Sequence, residues 1–245
     1  MEPGNAFVFF DLGGTLVDLR GLLDAAARAL REEFPGIRRR AGSVVHLWGI
    51  RVARELVRAQ GSRFVPERVI AASALQAELA ACGIRVGRER AARVVRRARE
   101  DFESRARLCA GVSRTWLEGV HRHAAGTCIV TDGDVRTTGR LLERTGILPC
   151  FDAVVVSETV RAYKPHPRIY REALRAVRAP AERSVFVSDS AVDLYGAVAL
   201  FMEPVLVPRP FAPDAGDPPE GTRRLRSMRD LDAVLERFSR TGRFG

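Results

Sequence analysis

Lysine is nearly absent from this 245-residue chain: its 40 Lys and Arg residues include a single lysine, Lys164. On solvated faces guanidinium and ammonium serve about equally well, but in a tight site a compact ammonium and a planar five-donor fork are not interchangeable. The lone lysine therefore marks a place where arginine is sterically or chemically wrong. Cysteine is also scarce. Cys82, Cys109, Cys128 and Cys150 show no C-x-x-C spacing and have mostly apolar neighbours, which excludes a disulfide framework or zinc ribbon and predicts reduced packing residues. Residues 1–5 carry no basic leader, and no apolar run approaches the roughly 20 residues of a membrane span. The expectation is a soluble, cytoplasmic protein. Aromatics make up 7% of the chain and do not interleave with the arginines as they do on base-stacking platforms. The net charge of +10 invites a nucleic-acid reading, but this distribution disfavours it, and the arginines of the helical stretch suit steering of a small anionic substrate.

What is present reads as a parallel α/β sheet. Apolar, β-prone runs occur as "AFVFF" before Asp11, "TCIVT" before Asp132, "DAVVVS" after Phe151, "SVFVS" before Asp189 and "PVLV" around Pro204. Helical patterns over 137–145, 168–177 and 193–201 separate the later ones. Strands alternating with helices imply a Rossmann-like, three-layer α/β/α core whose sheet is buried on both faces. Between Leu19 and Arg107 the pattern changes to Ala, Leu, Arg and Glu at helical spacing, over 21–33, 43–60, 66–82 and 88–107. Breaks fall at Pro35-Gly36, 61–64 and 83–87. Residues 19–107 are therefore expected to form an all-helical insertion in a core made of 1–18 and 108–245, hinged near 18–20 and 108–111. Residues 208–222 read as loop, and "MRDLDAVLERF" as a closing helix.

In such sheets ligands bind beyond the carboxyl ends of the strands, where strand order reverses. Asp11, Thr131, Asp132 and Asp189 occupy those ends. Two ionised carboxylates ~4 Å apart repel by about 4 kcal/mol at an effective dielectric near 20, so either one is protonated or a cation lies between them. Hard oxygen ligands suit magnesium.

Four segments in order, "FVFFDLGGTLVD", "TCIVTDGD", "RAYKPHPRIY" and "VFVSDSAVDLYGA", resemble the motifs of the haloacid dehalogenase-like (HAD) hydrolase superfamily. The helical insertion fits that family's all-helical cap in position and type. The resemblance implies Asp11 as a nucleophile forming a covalent aspartyl intermediate, and Thr131 as a hydrogen-bond donor to the transferring group. Lys164 would neutralise the nucleophile and the substrate anion, with Asp132 and Gly14 also touching substrate. Asp11, Asp189 and the backbone carbonyl of Gly13 would hold Mg2+, and Asp193 would orient Lys164 or a metal-bound water. Asp18, Ser157 and Glu158 read instead as local caps.

One departure matters. Phosphatases of the superfamily usually carry a second aspartate two residues after the nucleophile, as general acid and base; here it is Gly13. A carbonyl ligand survives that change, but a proton carrier does not, and general acid–base catalysis contributes typically 10²- to 10⁴-fold. Four readings follow. The preferred one is a magnesium-dependent phosphatase with a substitute carrier, Asp132 or His166, or an activated substrate. The second is carbon–halogen hydrolysis, which needs no second aspartate, although Asp189 argues for a cation. Phosphonate cleavage falls because its relatives use a cap lysine, and residues 19–107 hold none. The last is a weakened module that binds anions or nucleic acid. On "HLWGIRVARELV", Arg51 and Arg54 are the candidate substrate contacts from the insertion.

Overall fold

The computed structural model describes residues 5–59, 64–207 and 216–244. Strands β1 (Phe7–Phe10), β2 (Gly126–Thr131), β3 (Ala153–Val156), β4 (Ser184–Ser188), β5 (Glu203–Leu206) and β6 (Arg223–Arg224) form one sheet in the order β3-β2-β1-β4-β5-β6. Every pair is parallel. The order reverses at β1, which pairs Phe10 with Ile129 on one side and with Val187 on the other.

Alternation along β1 divides the sheet's two faces. Val8 and Phe10 pack with Leu117 of α5 (Arg114–His123), Leu141 of α6 (Val135–Thr145) and Leu231 of α10 (Asp230–Thr241). Phe9 faces the other way, toward Ile169 and Tyr170 of α8 (Pro167–Ala176) and Leu194 of α9 (Ala191–Val198). Covered on both sides, the strands have no need of the polar alternation of a half-exposed sheet, and β2 is buried along its whole length. The α/β/α layering expected from the sequence is the one observed.

Helices α1 (Arg20–Glu33), α2 (Ala41–Arg58), α3 (Glu67–Ala81) and α4 (Arg88–Arg105) pack around a separate apolar cluster that includes Leu30, Trp48, Leu75, Leu79 and Val94. The chain enters and leaves this bundle along two paired segments. Asp18 N–H donates to Arg107 O at 2.9 Å, and Cys109 N–H to Leu16 O at 2.8 Å. Cys109, Cys128 and Cys150 are buried and unbridged, Cys82 is exposed, and burial pushes the Cys128 thiol up to about 12.

Several boundaries differ from expectation. The helix read over 193–201 starts at Ala191, because the Ser190 hydroxyl accepts the Asp193 N–H and so caps it, and ends at Val198. A one-turn helix α7 (Ser157–Val160) and the edge strand β6 had no apolar signature. Helix α2 ends at Arg58, and the break placed at 61–64 lies outside the described residues except for Phe64; so does the 208–215 part of the expected loop.

The layer beneath α9 is tight. A Cβ on Gly196 would sit 2.5 Å from the ring and hydroxyl of Tyr170, a fully buried side chain that donates its hydroxyl to Asp193 O at 2.8 Å. Gly196→Ala is expected to destabilise the fold by about 1–3 kcal/mol, the usual cost of overpacking. Chemical denaturation checks this, and an unchanged midpoint would show that Tyr170 gives way.

Candidate active site

The sheet's switch point assembles the site. Asp11 N–H donates to Val187 O at 3.0 Å, extending the β1–β4 ladder one residue and fixing Asp11 beyond the strand end. The next residues fold back at once, with Leu16 and Val17 N–H groups donating to Leu12 O at 2.9 and 2.8 Å. Within this loop Gly14 adopts φ +86°, and a Cβ there would lie 2.3 Å from Asp189 Oδ2. Only glycine suits both the conformation and the contact. Its N–H is engaged by Val17 O at 2.8 Å, so what Gly14 does here is admit the Asp189 carboxylate beside the loop. Thr15 fastens that carboxylate: its hydroxyl donates to Asp189 Oδ1 at 3.1 Å and accepts the Asp189 N–H at 3.0 Å.

Lys164, from the segment between β3 and α8, reaches into the same place. Its Nζ donates to Asp11 Oδ1 at 2.5 Å and to Asp193 Oδ2 at 2.6 Å, with the residue only 5% exposed and Asp11 6%. Asp193, on the first turn of α9, also accepts from the Ser188 hydroxyl at 2.9 Å. Two carboxylate oxygens thus close on one nitrogen inside the protein. A guanidinium is too broad for that gap, which is the physical reason for a lysine in a chain otherwise furnished with arginine. Asp132 steadies the lysine's own backbone: its two oxygens accept the Lys164 N–H at 3.0 and 3.2 Å. Beside it, the buried Thr131 hydroxyl donates to Asp132 O at 3.3 Å.

Four carboxyl groups, Asp11, Asp132, Asp189 and Asp193, therefore surround one ammonium. Burial raises the Asp11 carboxyl, with Lys164 opposing. Burial pushes Asp132 up to about 7, again against Lys164. Asp189 also rises to about 7, through burial and then the neighbouring Asp11 and Asp193 charges. Burial alone would lower Lys164, but Asp11, Asp193 and Asp132 hold it above the usual lysine range. The site has more negative charge than its ammonium can balance.

That excess suits a cation. Among the described residues no three acid, histidine or cysteine side chains are gathered as a metal-binding group. The fitting donors are two carboxylates, Asp11 and Asp189, with the Gly13 carbonyl between them in the chain. This incomplete all-oxygen set matches Mg2+, which keeps several waters and seldom relies on an all-protein cage.

A cleft of about 810 Å3 opens over these groups, lined by Asp11, Gly13, Thr131, Asp132, Lys164 and Asp189, and across from them by Ile50, Ala53, Arg54 and Val57 of α2. Arg51 is absent from its walls and pairs with Glu78 at 2.5 Å. His166 is absent too. Its ring Nδ1 accepts the Arg168 N–H at 3.1 Å as the cap of α8, which removes it as a proton carrier for this cleft. Asp18 accepts the Arg20 N–H at 2.9 Å as the expected local cap, whereas Ser157 accepts the Gly133 N–H at 3.0 Å and Glu158 the Val135 N–H at 2.8 Å, bonds across 24 and 23 positions that tie α7 to the segment after β2 rather than capping their own surroundings. Sequence reasoning passed over Thr15, Ser188 and Tyr170, whose parts depend on distant contacts. It also passed over Asp134, a buried acid paired with Arg99 and, at 2.7 Å, with Arg68. The threonine of "FVFFDLGGTLVD", four residues after Asp11, was the available signal for Thr15.

Comparison with known proteins places the chain in a family. Glyceraldehyde 3-phosphate phosphatase of Pyrococcus abyssi is 33% identical over 78 residues, 31% of this chain and 33% of that protein. The enzyme of the same name from Methanothermobacter thermautotrophicus is 38% identical over 80 residues, 32% and 35% of the two chains. The chain therefore spans about a third of the length of these curated relatives. Among solved structures, L-2-haloacid dehalogenase from Xanthobacter autotrophicus superposes with a TM-score of 0.74 at 18% identity, over 95% of this chain and 98% of that one. The magnesium-bound HAD hydrolase YfnB from Bacillus subtilis gives 0.75 at 19% identity, over 95% and 99%. These likenesses, below 25% identity, speak to fold. The family model for haloacid dehalogenase-like hydrolases matches residues 7–200, and with its four motif segments converging on one cleft the chain belongs to that family of hydrolases.

Proposed function

We propose that this hydrolase is a magnesium-dependent phosphohydrolase of small anionic substrates, acting through an aspartyl-phosphate on Asp11. The observation that carries the reading is the buried Lys164 ammonium bonded to Asp11 and Asp193 at 2.5 and 2.6 Å beside a third acid, Asp189, which has no ion pair of its own among the described residues and feels Lys164 only at longer range. An ester phosphate entering the cleft brings further negative charge to Asp11, and electrostatic stabilisation is what such a transfer chiefly needs. In this reading one Asp11 oxygen attacks phosphorus, Lys164 offsets charge on the nucleophile and the phosphoryl oxygens, and the Thr131 hydroxyl donates to one of those oxygens. Asp11, Asp189 and the Gly13 carbonyl would hold Mg2+, which supplies further neutralisation of the phosphoryl group. Asp193 positions the lysine.

The missing aspartate at Gly13 leaves the leaving-group proton to be supplied. Asp132 is the carrier in this reading. It lines the cleft next to Thr131, and a carboxyl pushed up to about 7 can both give a proton to the departing alkoxide and take one from the water that opens the aspartyl-phosphate. Helices α1–α4, residues 19–107, act as the cap that closes over the core of 1–18 and 108–245 and keeps bulk water out. The sequence match to two glyceraldehyde 3-phosphate phosphatases supports phosphate chemistry. Gly13 favours a second reading, hydrolysis of a 2-haloacid, because halide leaves without a proton.

A hydrolysis screen with alkyl and acyl phosphates and 2-haloacids, with and without Mg2+, separates the two. Metal-dependent phosphate release that Asp11→Asn abolishes is expected, and metal-independent halide release would overturn the proposal. Asp132→Asn should lower kcat for an alkyl phosphate by roughly 10²-fold or more. The protonated carboxyl is the acid, so wild-type turnover should fall as pH rises above about 7, and the variant should lose that limb. The nearest atoms to a Cβ on Gly13 are those of Leu19, at 3.4 Å, an ordinary contact, so a side chain can start from this position and Gly13→Asp is expected to restore turnover to Asp132→Asn. A double variant as slow as Asp132→Asn, with the fold intact by circular dichroism, would count against proton transfer as the missing step.

A further inference from the structure

Three arginines line the cleft above Asp11, and two of them are paired. Arg58 bonds Glu55 at 2.9 Å, and Arg99 bonds both Glu67 and Asp134. Arg54, on the α2 face that covers the strand ends, is exposed and has no acidic partner among the described residues. Its surroundings are apolar. Leu19, Leu22, Ile50, Val57 and Phe102 share the wall, and Val57 is 49% exposed despite its chemistry. Exposed in the cleft wall, this guanidinium is solvated and open to an incoming anion on the side facing Asp11 and Lys164.

We propose that Arg54 is a specificity-determining residue that selects phosphomonoesters carrying a second anionic group at the far end of a short aliphatic body. The proposal rests on the phosphohydrolase reading for the reacting end and deepens it at the other. The phosphate lies against Thr131 and Lys164, the carbon chain lies along Leu19, Ile50 and Phe102, and the distal anion takes the guanidinium fork, which matches two oxygens of one group. A cleft of about 810 Å3 has room for a body of that size beyond the phosphate. Arg51, three residues earlier, is held by Glu78 at 2.5 Å, and Arg58 by Glu55, so of the three arginines of α2 only Arg54 is without an acidic partner among the described residues.

The test uses the full chain carrying Asp11→Asn, so that binding is read without turnover, and three probes: propyl phosphate, its analogue with a terminal carboxylate, and its analogue with a terminal phosphate. Calorimetry is expected to give at least one of the two anionic-tail probes a Kd roughly tenfold or more below that of propyl phosphate, the scale of a charge-assisted hydrogen bond. Adding Arg54→Gln should erase the difference, while adding Arg31→Gln, an exposed arginine outside the cleft, should leave it and so exclude a mere effect of net charge. The tail that binds best names the second group. Equal Kd values for all three probes, no binding by any, or a preference that survives Arg54→Gln overturns the proposal. Phosphate release by the unsubstituted protein is scored separately: none from any probe counts against the phosphohydrolase reading, while the binding contrast still decides Arg54.

Discussion

The ammonium of Lys164, shared between Asp11 and Asp193 in the interior, is the interaction on which the rest of the structure converges. Leaving one member of such a buried pair without its partner costs about 3–5 kcal/mol, so the fold must deliver all three groups together or not at all. They come from three separate stretches of chain. The parallel sheet solves this by ending β1 and β4 side by side, which places Asp11 and the start of α9 at one rim. The segment after β3 then has only to lower a lysine into the gap, and Asp132 holds that segment by its backbone. The same burial that secures the lysine raises the carboxyls of Asp11, Asp132 and Asp189, so the packing that builds the site also sets the proton affinity of its acids.

Much of this arrangement could be read from the sequence, because its causes are local or repetitive. Strands buried on two faces leave continuous apolar runs, and the acids that follow "AFVFF" and "SVFVS" stand where a strand must end. The isolation of Lys164 in an arginine-rich chain pointed to a confined cation, and its 5% exposure bears this out. What escaped had non-local causes. Thr15 and Asp189 are joined across 174 positions, and no spacing rule reports such a bond. β6 is two arginines paired to β5 through the backbone, so its side chains carry no strand signal. The early start of α9 follows from the Ser190 hydroxyl, and His166 looked like a proton carrier from its place beside Lys164 but turned out to cap α8.

The helical bundle is tied to this centre as well as resting above it. Arg99 and Arg68, from α4 and α3, both meet the buried Asp134 just past β2, and Arg68 also reaches Glu158 at 2.6 Å. The Tyr163 hydroxyl, one residue before Lys164, donates to Val65 O at 2.7 Å, so the lysine's own segment contacts the bundle.

The two segments joining bundle and sheet are bonded to each other, Asp18 to Arg107 and Leu16 to Cys109, and the first of them is the continuation of the loop that begins at Asp11. Only a few residues of backbone therefore separate the Asp11 carboxylate from the point where the helical bundle is anchored, so the bundle's attachment and the acid at the strand end share one short stretch of chain.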